Sequence, residues 1–141
     1  MGKLLAIDYG GKRCGIAVTD DMQIIASGLD TIATTDLLEW LVSYTQKETV
    51  ERFIIGLPKR MHGQASAIEP EIQKFITKLG QKLSHIPIER YDERFTSKLA
   101  LDTLLKGGAS KKKRQEKGII DKISATLILQ GYMDNQSNNP F

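Results

Sequence analysis

The hydrophobic pattern changes period once along the chain, after Ala33, and that change constrains the fold more than any other feature. Ahead of it, apolar residues come in short strand-like runs. Lys3 to Asp8 holds the block Leu4-Leu5-Ala6-Ile7, which suits a central strand buried on both faces. Tyr9-Gly10-Gly11-Lys12 supplies turn residues. Cys14 to Thr19 is rich in β-formers again, and Gln23 to Ala33 contains a third run weakened by Gly28. These three segments predict an antiparallel meander.

Beyond Ala33, helical stripes separate the strands. Asp36 with Glu39 has the spacing of a capping box, ahead of the stripe Leu37, Leu38, Leu41 and Val42. Arg52 to Leu57 is a compact strand closed by Pro58. Ile68, Ile72, Phe75, Ile76, Leu79 and Leu83 keep a helical period, with Pro70 tolerable in a first turn. Ile86 to Tyr91 reads as the fifth strand. Thr96 or Ser97 can cap a helix carrying Leu101, Leu104 and Leu105 that stops at Gly107-Gly108, and Ile119 to about Met133 forms the last helix. A helix between two strands forces a crossover, so strands four and five should run parallel to strand one. The expected fold is α/β: a mixed five-stranded sheet with helices on both faces.

A chain of 141 residues is long enough for one domain with a real core and too short for two. That domain is expected over 1–134, with 135–141 as a loose polar tail. The single Cys14 cannot form an intramolecular disulfide, and no N-terminal apolar segment of signal type is present, so a reducing cytoplasm is expected. No apolar run approaches membrane-spanning length, and no membrane partner is expected. Twenty basic against seventeen acidic residues leave a mild net charge of +3. Its distribution is more informative. Lys111, Lys112, Lys113, Arg114 and Lys117 crowd one short stretch opposed only by Glu116, which suits either a solvated loop or contact with phosphates.

Three acidic sites sit where a carboxylate is costly unless it is used. Asp8 ends the first apolar run, at the carboxyl end of a central strand, where open α/β sheets place their ligands. It could instead cap the Gly10-Gly11 turn. Asp121 heads the helical row Asp121, Ala125, Ile128, which should face the sheet; an acid there could also simply favour the helix dipole. Asp92-Glu93-Arg94 follows the fifth strand. Extended neighbours point to opposite faces, so one acid can reach the Asp8 site; Glu93 is the first choice and Asp92 the second. Convergence of the three would be most cheaply neutralised by a hard divalent cation bound through oxygen. Gly56-Leu57-Pro58 with Gly63 suits a loop shaping a phosphate path, or a plain turn. His62 and His85 lack metal-ligand spacing.

The motif Leu5-Ala6-Ile7-Asp8-Tyr9-Gly10, with Lys12-Arg13 and Gly15-Ile16-Ala17-Val18-Thr19-Asp20, resembles the opening of the YqgF family. These are ribonuclease-H-like proteins named for Holliday-junction resolution or for cleavage of pre-16S ribosomal RNA. Gly56-Leu57-Pro58 with Gly63, then Asp92-Glu93-Arg94 with Thr96 and Ala100, are similar to its middle motifs. Asp121, Ala125, Ile128-Leu129-Gln130 and Asp134 are similar to its last helix. The departures are Cys14 in an aliphatic position, Ser97 for Thr and Ser124 for Ala, and none removes an acid. The resemblance implies a ribonuclease-H-like three-layer fold and a nuclease whose acidic triad, catalytic and metal-binding, is Asp8, Glu93 and Asp121. It implies one or two Mg²⁺ or Mn²⁺ ions and a nucleic-acid substrate, precursor ribosomal RNA ahead of branched DNA. Phosphates would be met by Lys12, Arg13, Arg94, Lys111, Lys112, Lys113, Arg114 and Lys117. The expected state is a monomer or weak homodimer, since the sequence shows no decisive dimer patch. Two other classes compete. Asp8-Tyr9-Gly10 also resembles the phosphate loop of actin-like ATPases and sugar kinases, which need two such domains. A non-catalytic RNA-binding factor could carry the same fold, though it would not need all three acids.

Overall fold

The structure is a computed structural model that describes residues 2–58, 67–93 and 117–138, without the side chains of 117–119 and 137–138. Five strands form one sheet: β1 (Lys3–Asp8), β2 (Arg13–Thr19), β3 (Ala26–Ala33), β4 (Val50–Leu57) and β5 (Ile88–Asp92). Their order is β3-β2-β1-β4-β5, with β1, β2 and β3 antiparallel and β4 and β5 parallel to β1, as the period change predicts. Helices α1 (Leu37–Lys47), α2 (Glu69–Lys82) and α3 (Lys117–Asn138) complete the described elements.

Two cores result, one on each side of the sheet. Leu5, Ile7, Cys14, Ile16, Phe53 and Ile55 pack with Leu37 and Leu41 of α1 and Ile72, Phe75 and Leu79 of α2. Leu4, Ala6, Ala17, Ile54 and Tyr91 pack with Ala125, Ile128, Leu129 and Tyr132 of α3. The strictly alternating split of β1 explains its apolar run. A strand covered by helices on both faces has no polar side to present.

Several boundaries differ from the sequence reading, each for a local reason. The third strand, expected within Gln23 to Ala33, runs Ala26–Ala33. The Asp20 carboxylate accepts the Met22, Ile24 and Ile25 amides, and Gln23 takes a positive φ of 57°, so this stretch is a turn. Gly28 sits at a bulge: Ile16 pairs with Asp30 and Ala17 with Gly28, leaving Leu29 as the extra residue. The capping box at Asp36 is not made. A 3-10 turn over Thr34–Asp36 precedes α1 and holds Asp36 at φ −102° and ψ −4°, without the extended backbone that lets a cap oxygen reach the first turn. The fifth strand begins at Ile88, after Pro87, which has no amide to give the ladder. Helix α3 runs on through Asn138, into the stretch expected to be loose tail. The helix expected around Leu101 to Gly107-Gly108, together with His62, Gly63, Arg94, Lys111, Lys112, Lys113 and Arg114, lies outside the described residues. Among the described residues no helix is long and apolar enough to cross a membrane.

Candidate active site

Strand alternation decides which side chains meet α3. In β1, Leu4 and Ala6 face α3, and two residues on, so does Asp8. In β4 Ile54 faces α3, and Gly56 follows. In β5 Tyr91 faces α3, and Glu93 continues that series just past the strand. Arg90 points the opposite way, to Glu69 of α2 at 2.8 Å, and Asp92 falls on its side of the alternation. Three parallel strands therefore bring Asp8, Gly56 and Glu93 to one face at their carboxyl ends.

The fourth contribution comes from α3. Asp121, Ala125, Ile128 and Tyr132 form the sheet-facing row. Gly15 lies opposite Asp8 in the β1–β2 register. A Cβ at Gly15 would overlap the backbone carbonyl of Asp121, so the start of α3 rests directly on β2 because that residue has no side chain. This seats Asp121 across the strand pair from Asp8.

Asp8 and Glu93 touch through a hydrogen bond between their carboxyl groups. Burial above all, then the charge of Glu93, that hydrogen bond and the charge of Asp121 raise Asp8 to about 8. Burial also raises Glu93, while the hydrogen bond from Asp8 and the positive charge of Arg90 pull it down. Both carboxyl groups are pushed towards the neutral form, and the hydrogen bond between them means that the pair shares a proton. Gly56 makes room for this contact. A Cβ there would lie 2.6 Å from Glu93 Oε1 and 2.9 Å from Ile128 Cδ1. Arg90 braces the same edge from beneath, donating to the Gly56 carbonyl at 2.9 Å and the Ile55 carbonyl at 3.2 Å while held by Glu69.

Asp121 has a different partner. Arg13 Nε donates to its Oδ2 at 2.7 Å. Among the described residues no three acidic, histidine or cysteine side chains are grouped so as to hold a metal ion. Asp8 and Glu93 are together, and Asp121 is turned to Arg13. The donor chemistry still suits Mg²⁺ or Mn²⁺: all three are carboxylates, and a proton shared between two of them is what an acidic pair adopts when no cation neutralises it. Lys12 is exposed on the turn after β1, and Lys117 opens α3. The roles of Gly15 and Gly56 as floors of the site were missed in the sequence. Their signal was the strand parity, which puts each on the face of the acids. Arg13 is expected from the sequence among the phosphate-binding residues, without its tie to Asp121.

The chain is similar to known proteins in sequence and in fold. The family model described as "RuvX: Holliday junction resolvase" matches residues 2–135. A relative from Bacteroides fragilis is 50% identical over 136 residues, spanning 96% of this chain and 99% of its own length. One from Phocaeicola vulgatus is 51% identical over 136 residues, spanning 96% and 98%. Both are named "Putative pre-16S rRNA nuclease". Among solved structures, the chain is similar to T. thermophilus RuvC in complex with Holliday junction substrate, with a TM-score of 0.56 and 10% identity over 96% of each chain. At that identity the likeness is one of fold, and it bears out the ribonuclease-H-like arrangement expected from the sequence.

Proposed function

The chain belongs to the RuvX Holliday junction resolvase family, and from that premise we propose that it is a metal-dependent nuclease trimming the 5′ end of pre-16S ribosomal RNA. The observation that carries this reading is the contact of Asp8 with Glu93 at the carboxyl end of the parallel strands, with Asp121 seated beside them by Gly15. Asp8, Glu93 and Asp121 would hold one or two Mg²⁺ or Mn²⁺ ions. A bound ion supplies Lewis acidity toward a phosphoryl oxygen and makes water a stronger nucleophile near neutral pH.

The chain's own residues do the rest. Asp8 would release to water the proton it shares with Glu93, leaving both carboxylates free to hold the ion. Arg90 fixes the strand edge that carries Glu93. Arg13, paired with Asp121, and Lys12, on the turn after β1, would balance backbone phosphates, as would Arg94, Lys111, Lys112, Lys113, Arg114 and Lys117. Hydrolysis by water needs no enzyme nucleophile. Cys14 is not placed to be one: it is buried in the α1–α2 core, and burial pushes its thiol up. The protein works in the cytoplasm as a monomer or weak homodimer.

RNA is preferred as substrate because relatives of half identity, matched over nearly their whole length, bear the name of a pre-16S rRNA nuclease. The family description favours a second reading, resolution of branched DNA, which would require two copies to cut two strands. Purified protein with Mg²⁺ should be offered an RNA carrying the 16S 5′ leader and, separately, a four-way DNA junction. The expected result is cleavage of the RNA, lost in Asp8→Asn. Cleavage of the junction with the RNA left whole would replace this reading by the second. Binding of RNA with no cleavage in Mg²⁺ or Mn²⁺ would make the protein a non-catalytic RNA-binding factor.

A further inference from the structure

Arg13 is the first residue of β2, two before Gly15, and strand alternation puts both on the face covered by α3. Gly15 pins the backbone of Asp121 against the sheet, so the Asp121 carboxylate can move only by turning its side chain. That side chain is turned to Arg13, Nε to Oδ2 at 2.7 Å. The pair is neither buried nor free in solvent, with side-chain exposures of 34% for Arg13 and 23% for Asp121. Asp8 and Glu93 meanwhile hold each other, and the three acids do not close around one point.

We propose that Arg13 is a counter-ion gate on the metal site: it neutralises Asp121 in the metal-free protein and must release it when a divalent cation binds, and the freed guanidinium then takes a nucleic-acid phosphate. The inference rests on the nuclease reading above and adds to it an order of events. A cation arriving alone must compete with Arg13 for Asp121. One arriving with nucleic acid does not, because the phosphate gives the guanidinium a second anion suited to its paired N–H groups. Metal and substrate therefore bind cooperatively, and the free enzyme stays largely unloaded. Only the exchange of ion-pair partners is required, with no covalent change.

The test is titration of Mn²⁺ alone into the full-length wild type, Arg13→Gln and Arg13→Lys by calorimetry, with no nucleic acid present. Arg13→Gln should bind Mn²⁺ roughly tenfold more tightly than the wild type, the size expected for an ion pair between the exposed and buried limits. Arg13→Lys, which keeps the charge, should stay near the wild type. Arg13→Met, which keeps much of the aliphatic stem, serves if Arg13→Gln does not fold. Equal or weaker Mn²⁺ binding in the neutral variants overturns the gate and leaves the nuclease reading standing. Absence of Mn²⁺ binding in all of these proteins, with RNA added as well as without it, overturns the metal site itself and the gate with it.

Discussion

Asp8 is a carboxyl group whose surroundings favour its neutral form, and this gives the metal-free protein a characteristic pH dependence. Its ordinary value of 3.8 rises to about 8 in the fold. Between those values the folded chain holds a proton that the unfolded chain has released. The stabilisation is complete below the unfolded value and is lost as pH rises through the folded one. Glu93 is raised as well and acts in the same direction. Denaturant unfolding in EDTA should show the wild type weakening from about pH 5 to about pH 8.5, with a flatter profile in Asp8→Asn. At the upper end of that range Asp8→Asn should be at least as stable as the wild type, since it removes one of several like charges. Its single-turnover cleavage should fall by roughly 10³-fold or more, the equivalent of several kcal/mol of metal-centred stabilisation. A large drop of melting temperature in Asp8→Asn would mean that the acid serves the fold. The three acids stand out in the sequence because each stands at the end or head of an apolar pattern. The choice of Glu93 over Asp92 rests on alternation: Glu93 is two residues past the buried Tyr91 and falls on its face. The tie between Arg13 and Asp121 was not legible, since nothing local links residues 108 positions apart. The capping box misled for the opposite reason: residue types and spacing were right, but the preceding 3-10 turn denied Asp36 the backbone it needed.

Among the secondary elements, α3 controls the site, because Asp121 is only as well placed as the packing of that helix on β2. Gly15→Ala puts a methyl into the backbone of Asp121, and neither strand nor helix can yield there cheaply. Overpacking of this kind costs about 1–3 kcal/mol, or several degrees of melting temperature in a domain of this size. Cleavage should fall further than the stability change explains, as Asp121 is displaced from Asp8. Gly80→Ala in α2 is the control. A Cβ there meets nothing within 4 Å. The substitution should raise stability by about 0.5–1 kcal/mol and leave cleavage unchanged. Thermal melts of both variants check the pair, and equal melting temperatures would show that Gly15 is not the floor on which α3 rests. The described strands and helices were legible from hydrophobic period, down to the parallel placement of β4 and β5. Their ends were less so. The start of β3 depends on one carboxylate, Asp20, accepting three amides, and the reach of α3 past Met133 goes against the polar composition of that segment.

At the scale of the whole molecule, the sheet order brings Asp8 and Glu93 to the carboxyl ends of the parallel strands and α3 adds Asp121, and the proposed function gives the basic residues the phosphates of the substrate. Changing Lys111, Lys112 and Lys113 together to Ala should weaken RNA binding. Each phosphate that a lysine no longer neutralises should lower the slope of log affinity against log salt by roughly 0.7 for a single strand. Cleavage at saturating RNA should persist, because the acids are untouched. Fluorescence anisotropy across a salt series checks this, and an unchanged slope would make the stretch a solvated loop. The topology was legible because one change of period separates the meander from the crossovers. That Asp8, Glu93 and Asp121 belong to one site was not visible in composition or spacing; it was implied by the ordered motifs of the resemblance, and strand parity gives a physical basis for the contact of Asp8 with Glu93. Everything proposed for this chain requires those acids to form one cation site. Crystals of the wild type soaked in Mn²⁺ with a bound oligonucleotide should give an anomalous peak between Asp8, Glu93 and Asp121, with the Asp121 carboxylate turned away from Arg13. A map with manganese elsewhere, or with Asp121 still on Arg13 and no peak beside Asp8, would contradict it.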